Sequence, residues 1–301
     1  MASKRIMLLG ANGQVSQALR AEPIPTDWQL GAYGHAECDI TDHRMVQETI
    51  QNFKPDLIIN TAAMTAVDKC ETDHAQAIAA NFNAPANLAA QCSTLDIPLI
   101  HLSTDYVFDG ADRNTPYATE DMMHPVNMYG DSKMMGEEAI RHTHPFHVIL
   151  RISSVFSAYG TNLLTKMLQA IETKDELKIV TDQICAPTAA QDVARALIKI
   201  TETLMHGKSG GYGTFHLCGT PAVNRLEFSQ AMMDAYAPFT AKRPQILPAL
   251  SSDFPGFAAR PPYAVLECSK IRDVYGINQR PWREGLDEAM QILMQGRRQV
   301  A

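Results

Sequence analysis

Short apolar runs alternate with longer amphipathic stretches along the first half of the chain. Arg5 to Leu9 is an apolar run that ends in Gly10-Ala11-Asn12-Gly13. A β-forming run closed by glycine predicts a strand with a tight exit. Helical spacing is expected from Gln14 to about Ala21, and a second strand over Trp28 to Tyr33. Asp42 to Phe53 again has helical spacing. Asp56 to Asn60, bounded by Pro55, reads as a buried strand, Ala75 to Thr94 as a long alanine-rich helix, and Pro98 to Ser103 as another strand. This βαβαβ rhythm predicts an α/β fold built on a doubly wound parallel sheet. Ligands of such sheets bind beyond the carboxyl ends of the strands. Three polar motifs fall there: Gly10–Gly13, Asn60–Thr65 and Ser103–Asp105.

Past residue 150 the rhythm loosens, and proline, glycine and tyrosine gather between Pro238 and Pro262. The expected division is a nucleotide-binding domain over residues 1–150, with a return of the chain at about 187–205. Residues 151–301 are then mainly a smaller C-terminal α/β substrate-binding lobe, closed by a helix over Arg283 to Gln295. Apolar residues make up 46% and charged residues 20% of the 301, enough for a sizeable core. The formal net charge of −7 speaks against a nucleic-acid partner. The six cysteines form no C-x-x-C pair and no zinc spacing, which suits a reducing cytoplasm. Ile6-Met7-Leu8-Leu9 is too short for a signal-peptide core or a membrane span.

The Gly10-to-Val15 stretch follows a strand and opens a helix, the context a pyrophosphate needs. Small residues let the backbone approach, and the helix start presents free N–H groups and the positive end of its dipole. The spacing is G-x-x-G, with Ser16 where a third glycine would stand. Together with the strand order this predicts a Rossmann-type nucleotide site. The second strand ends at Tyr33-Gly34-His35 with no carboxylate at its tip, although Asp39 follows shortly. A missing acid leaves room for a 2′-phosphate, so NADPH is expected to serve at least as well as NADH. His35 is read as an exposed loop histidine.

Tyr129-Gly130-Asp131-Ser132-Lys133 places a tyrosine and a lysine at i and i+4, one helical face. That spacing is expected to bring the Lys133 ammonium near the Tyr129 phenol and lower its pKa, so that the phenol can pass a proton to a ketone. Thr104, at the end of a buried strand, supplies a hydroxyl for the carbonyl or the developing alkoxide.

These residues resemble the extended short-chain dehydrogenase/reductase superfamily and, in detail, the dTDP-4-dehydrorhamnose reductase family. The likeness covers nearly the whole chain. It is carried by Gly10 to Gln14, Asp39-Ile40-Thr41-Asp42 and Asn60-Thr61-Ala62-Ala63-Met64-Thr65-Ala66-Val67-Asp68-Lys69-Cys70-Glu71. Ser103-Thr104-Asp105-Tyr106-Val107-Phe108, Tyr129-Gly130 with Lys133, Arg151 with Ser153, Asp182-Gln183, Ala186-Pro187-Thr188 and Arg260-Pro261 continue it. The resemblance implies that Tyr129 donates the proton, that Lys133 supports it and holds the nicotinamide ribose, and that Thr104 tunes the carbonyl. It implies an NADPH or NADH cofactor along Gly10, Asn12, Gly13, Gln14 and Val15, with Asp39 and Ile40 near adenine and Ala62, Ala63 and Thr65 near the ribose and pyrophosphate. Asp105, Tyr106, Ser154, Gln183 and Arg260 would join Thr104 at a nucleotide-sugar substrate whose C4 keto group is reduced. The chain is expected to be a monomer or a homodimer. Family members often use Mg²⁺ between subunits; no carboxylate here is assigned to a metal.

Three positions depart from the family. Its R-T-S-W-V-Y run is Arg151-Ile152-Ser153-Ser154-Val155-Phe156 here, so Ser154 stands for a tryptophan; either Tyr106, Phe156 or Tyr263 fills the gap or the pocket holds a bulkier sugar, both favoured over simply weaker substrate binding. Cys185 replaces a glycine and Ala264 a serine. The departures fall in the substrate half and leave two alternatives beside the rhamnose precursor: a reductase of a different nucleotide-4-keto sugar, or a non-catalytic relative such as a methionine adenosyltransferase β-type subunit. A 4,6-dehydratase would carry a second acid after Asp105, where Tyr106 stands, and a 4-epimerase would hold NAD⁺ tightly. The intact Thr104, Tyr129 and Lys133 set favours an enzyme.

Overall fold

The computed structural model describes residues 3–207 and 210–300. The chain begins with β1 (Lys4–Leu9), α1 (Gln14–Ala21), β2 (Trp28–Tyr33), α2 (His43–Phe53) and β3 (Leu57–Asn60). Two short helices follow, α3 (Val67–Cys70) and α4 (His74–Ile78). The latter passes through a π-helical turn (Ala79–Asn83) into α5 (Ala84–Leu95). The alanine-rich helix expected over this stretch is therefore present but widened in its middle, and the wide turn carries the fully buried Asn81. β4 (Leu99–Thr104), α6 (Met128–Thr143) and β5 (His147–Ile152) complete the first half.

The second half runs β6 (Val155–Phe156), α7 (Leu163–Thr173), β7 (Glu176–Val180), β8 (Ile184–Cys185), β9 (Thr188–Ala189), α8 (Ala190–Met205) and β10 (Gly213–Leu217). It ends with β11 (Val223–Asn224), α9 (Arg225–Tyr236), β12 (Gln245–Ala249), β13 (Tyr263–Ala264), α10 (Ser269–Tyr275) and α11 (Trp282–Val300).

Six strands form one parallel sheet in the order β10-β5-β4-β3-β1-β2. Residues two apart along a strand share a face. Ile6, Leu8, Leu57, Ile59, Ile100, Leu102, Val148 and Leu150 thus face α1 and α8 in one core, and Met7, Leu9, Ile58, Leu99 and Ile149 face α2, α5 and α6 in another. Both faces are covered, which is why these strands read as continuous apolar runs. Each fully buried Ile or Leu contributes about 1.5–3 kcal/mol.

A third core joins α7, α9 and α11 through Leu168, Phe228, Met232, Trp282 and Leu286. The remaining strands make small sheets beside it, β11-β8-β13, β12-β7 and β6-β9. The large sheet also draws on the second half of the chain: β10 is one of its two edge strands, and α8 and α10 pack on it through Val193, Leu197 and Ile271. No helix among the described residues is long and apolar enough to cross a membrane.

Candidate active site

The carboxyl ends of β1, β3 and β4 open into a cavity of about 970 Å³, near the upper end of the range for small-molecule sites. Its first wall is the β1–α1 turn. Gly10 has φ +83°, and a side chain there would meet the Ala62 backbone nitrogen at 2.7 Å, so only glycine fits. Gly13 precedes α1 and closes the turn through its N–H to the Gly10 carbonyl at 2.9 Å. Ser16 does not reach the cavity as a third glycine would; it is fully buried, with its hydroxyl 2.7 Å from that of Thr61. The bond fastens α1 to the end of β3.

Gly10, Asn12, Gly13, Gln14 and Val15 line this wall together with Asp39, Ile40, Ala62, Ala63 and Thr65. Gln14 Oε1 is buried with no hydrogen-bond partner among the described residues, a cost a ligand hydroxyl or amide would remove. The glycine cradle and this orphaned oxygen fit a dinucleotide. His35 also lines the cavity, with its Nδ1 3.5 Å from Asp39 Oδ1. The carboxylate nearest the β2 tip, Glu37, is held by the Gly34 N–H at 3.0 Å and is not among the lining residues.

The second wall is built by β4 and α6. Asn127 caps α6 by accepting from the Gly130 N–H at 2.8 Å. Gly130 lets the helix lie against the turn after β4, because a Cβ there would stand 2.1 Å from the Tyr106 carbonyl oxygen. This contact fixes Tyr129 beside Tyr106, their rings edge-on at 5.7 Å. Thr104, Asp105, Tyr106, Tyr129, Lys133 and Ser154 all line the cavity, so the spacing-based catalytic set does converge.

Two details differ from expectation. Lys133 points into the sheet, donating to the Leu102 carbonyl at 2.7 Å and lying 3.0 Å from His101 Nε2. Among the described residues no hydrogen bond links it to Tyr129. The inner face of α6 buries Lys133, and its nitrogen takes the nearest buried partners. Burial pushes the Tyr129 phenol up, with Thr104 the opposing influence, so the phenol stays protonated. Thr104 in turn donates to Asp105 Oδ1 at 3.0 Å while accepting from the Tyr106 N–H. It serves a substrate oxygen only by exchanging that bond. Burial raises Asp105 to about 6, against hydrogen bonds from Ser153 and Thr104.

Ser154 sits in the left-handed region at φ 45°. Of the three aromatics expected in its gap, Tyr106 lines the cavity. Phe156 is fully buried against Phe228, and Tyr263 packs on the core behind the sheet. Gln183 and Arg260 do not line the cavity. Gln183 donates to the Ser251 hydroxyl at 2.9 Å. Arg260 is held in a two-pronged pair with Asp68 at 2.8 and 3.0 Å, which ties the 258–260 loop to α3. Arg225, at the start of α9, was not singled out from the sequence but lines the cavity, where its charge acts on Asp105, Tyr106 and Cys185. Among the described residues no three His, Cys, Asp or Glu side chains gather as a metal site.

The family model for the RmlD substrate binding domain matches residues 4–295. The chain belongs to this family. It is 37% identical to a dTDP-4-dehydrorhamnose reductase of Sinorhizobium fredii over 93% of this chain and 94% of that one. A reductase of the same name from Aggregatibacter actinomycetemcomitans is 35% identical over 94% of this chain and 97% of its own. Among solved structures, a dTDP-4-dehydrorhamnose reductase of Bacillus anthracis in complex with NADP superposes with a TM-score of 0.87, at 31% identity over 96% of this chain and 99% of that one.

Proposed function

We propose that this protein reduces the C4 keto group of a nucleotide-linked 6-deoxy-4-keto sugar, taking dTDP-4-dehydro-L-rhamnose to dTDP-L-rhamnose. The observation that carries the reading is the convergence of the β1–α1 glycine cradle with Thr104, Tyr129 and Lys133 on one cavity. Gly10, Asn12, Gly13, Gln14 and Val15 hold the pyrophosphate side of an NAD(P)H cofactor, with Asp39 and Ile40 toward adenine and Ala62, Ala63 and Thr65 between. When bound, the cofactor supplies the hydride.

The chain's own groups supply the rest. Tyr129, kept protonated by burial, gives its phenolic proton to the oxygen that becomes the alcohol. Thr104 turns its hydroxyl from Asp105 to that same oxygen and stabilises the developing charge. Lys133, one turn after Tyr129 on α6, is the residue that would hold the cofactor ribose, which its nitrogen reaches only by leaving the Leu102 carbonyl. Asp105, Tyr106, Ser154 and Arg225 shape the sugar side. The absence of a free carboxylate at the β2 tip, with Glu37 tied to Gly34, supports NADPH as at least the equal of NADH. Ser154 supports a second reading, a 4-keto sugar larger than the rhamnose precursor, since its small side chain leaves room on the substrate wall.

The test is NADPH oxidation with a panel of nucleotide-4-keto-6-deoxy sugars, followed at 340 nm, with NADH run in parallel. Turnover with dTDP-4-dehydrorhamnose above the rest of the panel is expected. Turnover with another sugar alone selects the second reading, and no turnover with any member refutes both. A kcat/KM for NADH more than about tenfold above NADPH, about 1.4 kcal/mol, refutes the cofactor assignment.

A further inference from the structure

From the cavity-lining Lys133 inward, polar side chains from three adjacent elements stand in a row. Asn60 ends β3, His101 lies in the middle of β4 and Lys133 comes from α6; each is at most 1% exposed. Such groups are tolerated in a core only when their hydrogen bonds are made with the right polarity. Here the polarity runs one way.

The row starts at the Ala62 N–H, which donates to Asn60 Oδ1 at 3.0 Å. A backbone N–H can only donate, so the amide oxygen faces Ala62 and Nδ2 faces the other way. Nδ2 lies 3.1 Å from His101 Nδ1, and since Nδ2 also only donates, Nδ1 is the acceptor. A neutral imidazole then carries its single proton on Nε2. That N–H points at Lys133 Nζ, 3.0 Å away. An ammonium has three donors and no lone pair, so it opposes the Nε2–H, whereas a free amine accepts from it and still donates to the Leu102 carbonyl at 2.7 Å.

We infer that the row from Ala62 through Asn60 and His101 holds Lys133 as a free amine in the cofactor-free protein, with His101 as the positioning residue that selects this state.

The groups that face the row agree. Burial keeps His101 neutral and well below its ordinary value; a charge on Lys133 would lower it further, so the ring stays neutral in either state of the lysine, and His147 of β5 presses the same way. His147 is itself lowered by burial, and its Nδ1 is engaged with the His144 carbonyl. Burial draws Lys133 down to about 8, against Glu137 on its own helix, and the hydrogen-bond polarity adds to burial. Lys133 gains a proton only when His101 stops donating to it. That requires the Asn60 amide to turn and release the Ala62 N–H. Ala62 lines the cavity, so an event at that peptide bears on the charge carried by Lys133. The consequence for turnover rests on the proposed reductase reading; the protonation state itself does not.

The test is an NMR titration of the whole cofactor-free protein labelled with [¹³Cε]lysine and [¹⁵N]histidine, with Lys133→Arg and His101→Gln assigning the signals. The expected result is a Lys133 midpoint below neutral pH, lower than the about 8 to which burial draws it, and a His101 ring protonated on Nε2 with Nδ1 bare. In His101→Gln the side-chain amide can turn its oxygen to Lys133, and the midpoint should rise by about one unit or more, tenfold in Ka. Asn60→Asp offers a second variant should the first not fold. A carboxylate accepts from both Ala62 and His101 Nδ1–H, reverses the row and should raise the midpoint while keeping the imidazole. A wild-type midpoint at or above neutral pH, a proton on Nδ1, or an unmoved midpoint in the folded variants overturns the inference. Because no turnover is read, failure of the reductase reading cannot mimic any of these results.

Discussion

Glu137→Gln tests whether the helix that carries Tyr129 and Lys133 is held in place by charge. Glu137 is fully buried on α6 and accepts from Arg151 of β5, Nη2 to Oε2 at 2.7 Å and Nε to Oε1 at 3.0 Å, and from Arg141 one turn on. Arg151 is 1% exposed, so water cannot replace the lost partner. Removing one member of a buried pair costs about 3–5 kcal/mol. Glutamine keeps the shape and one carbonyl, which places the loss near the lower end. At about 2–4 °C per kcal/mol the melting temperature should fall by about 6–12 °C near neutral pH. Burial alone would push the Glu137 carboxyl up, but Arg151 and Arg141 override it and hold it below its ordinary 4.5. A carboxyl lowered in the folded chain adds stability above its unfolded pKa and loses it as the pH falls through the folded one. The gap between wild type and variant should therefore be full near neutrality and close progressively below about 4.5. Thermal melts by circular dichroism across that range are the assay. A neutral-pH difference under about 2 °C would refute the reasoning.

Tyr129→Phe should lower kcat by about 10²–10⁴ with folding and NADPH affinity kept, because it removes one proton donor and little volume; near-normal turnover in steady-state assays would remove the proton-donor role. Arg225→Gln should raise KM for the nucleotide sugar by about tenfold or more, the worth of one charged hydrogen bond of about 1.5–3 kcal/mol, with NADPH affinity unmoved. An unchanged KM would take Arg225 out of the site. Ser154→Trp should fail to improve use of dTDP-4-dehydrorhamnose, since Tyr106 already supplies an aromatic wall and a bulky ring at φ 45° is strained. A clear fall in KM with kcat kept would show instead an ordinary pocket lacking its tryptophan.

What could be read from the sequence follows from what is local. The run Arg5–Leu9 closed by Gly10 and the boundaries of α1 and β2 depend on short apolar runs and nearby breakers, and they stand where the pattern put them; the strand expected over Pro98–Ser103 is shifted by one residue, to Leu99–Thr104. The Tyr129–Lys133 spacing placed both residues at the cavity, but the direction of the lysine nitrogen depends on His101, 32 residues away on a neighbouring strand. Distance in sequence hid the rest. Arg260 is tied to Asp68 across 192 residues, a pairing no motif states, and so lies off the cavity wall. Arg225 reaches the cavity because β11 pairs with β8, a two-residue strand pair too short for periodicity to reveal. The π turn at Ala79–Asn83 lies in a stretch whose composition is plainly helical; what widens it is the inward demand of Asn81, whose amide bonds both Met64 backbone groups and the Ser132 hydroxyl. Phe156 and Tyr263 were near Ser154 by motif alone, and the cores that claimed them are tertiary.

The most direct test of the central claim follows the hydride itself. The protein is incubated with NADPH carrying deuterium at both C4 positions of the nicotinamide and with dTDP-4-dehydrorhamnose, and the product is examined by NMR and mass spectrometry. The account predicts one deuterium per product, bonded to sugar C4, with stoichiometric NADP⁺ and with almost no transfer in Tyr129→Phe. Cofactor oxidation with no label at C4, or label at C4 undiminished in that variant, would contradict it.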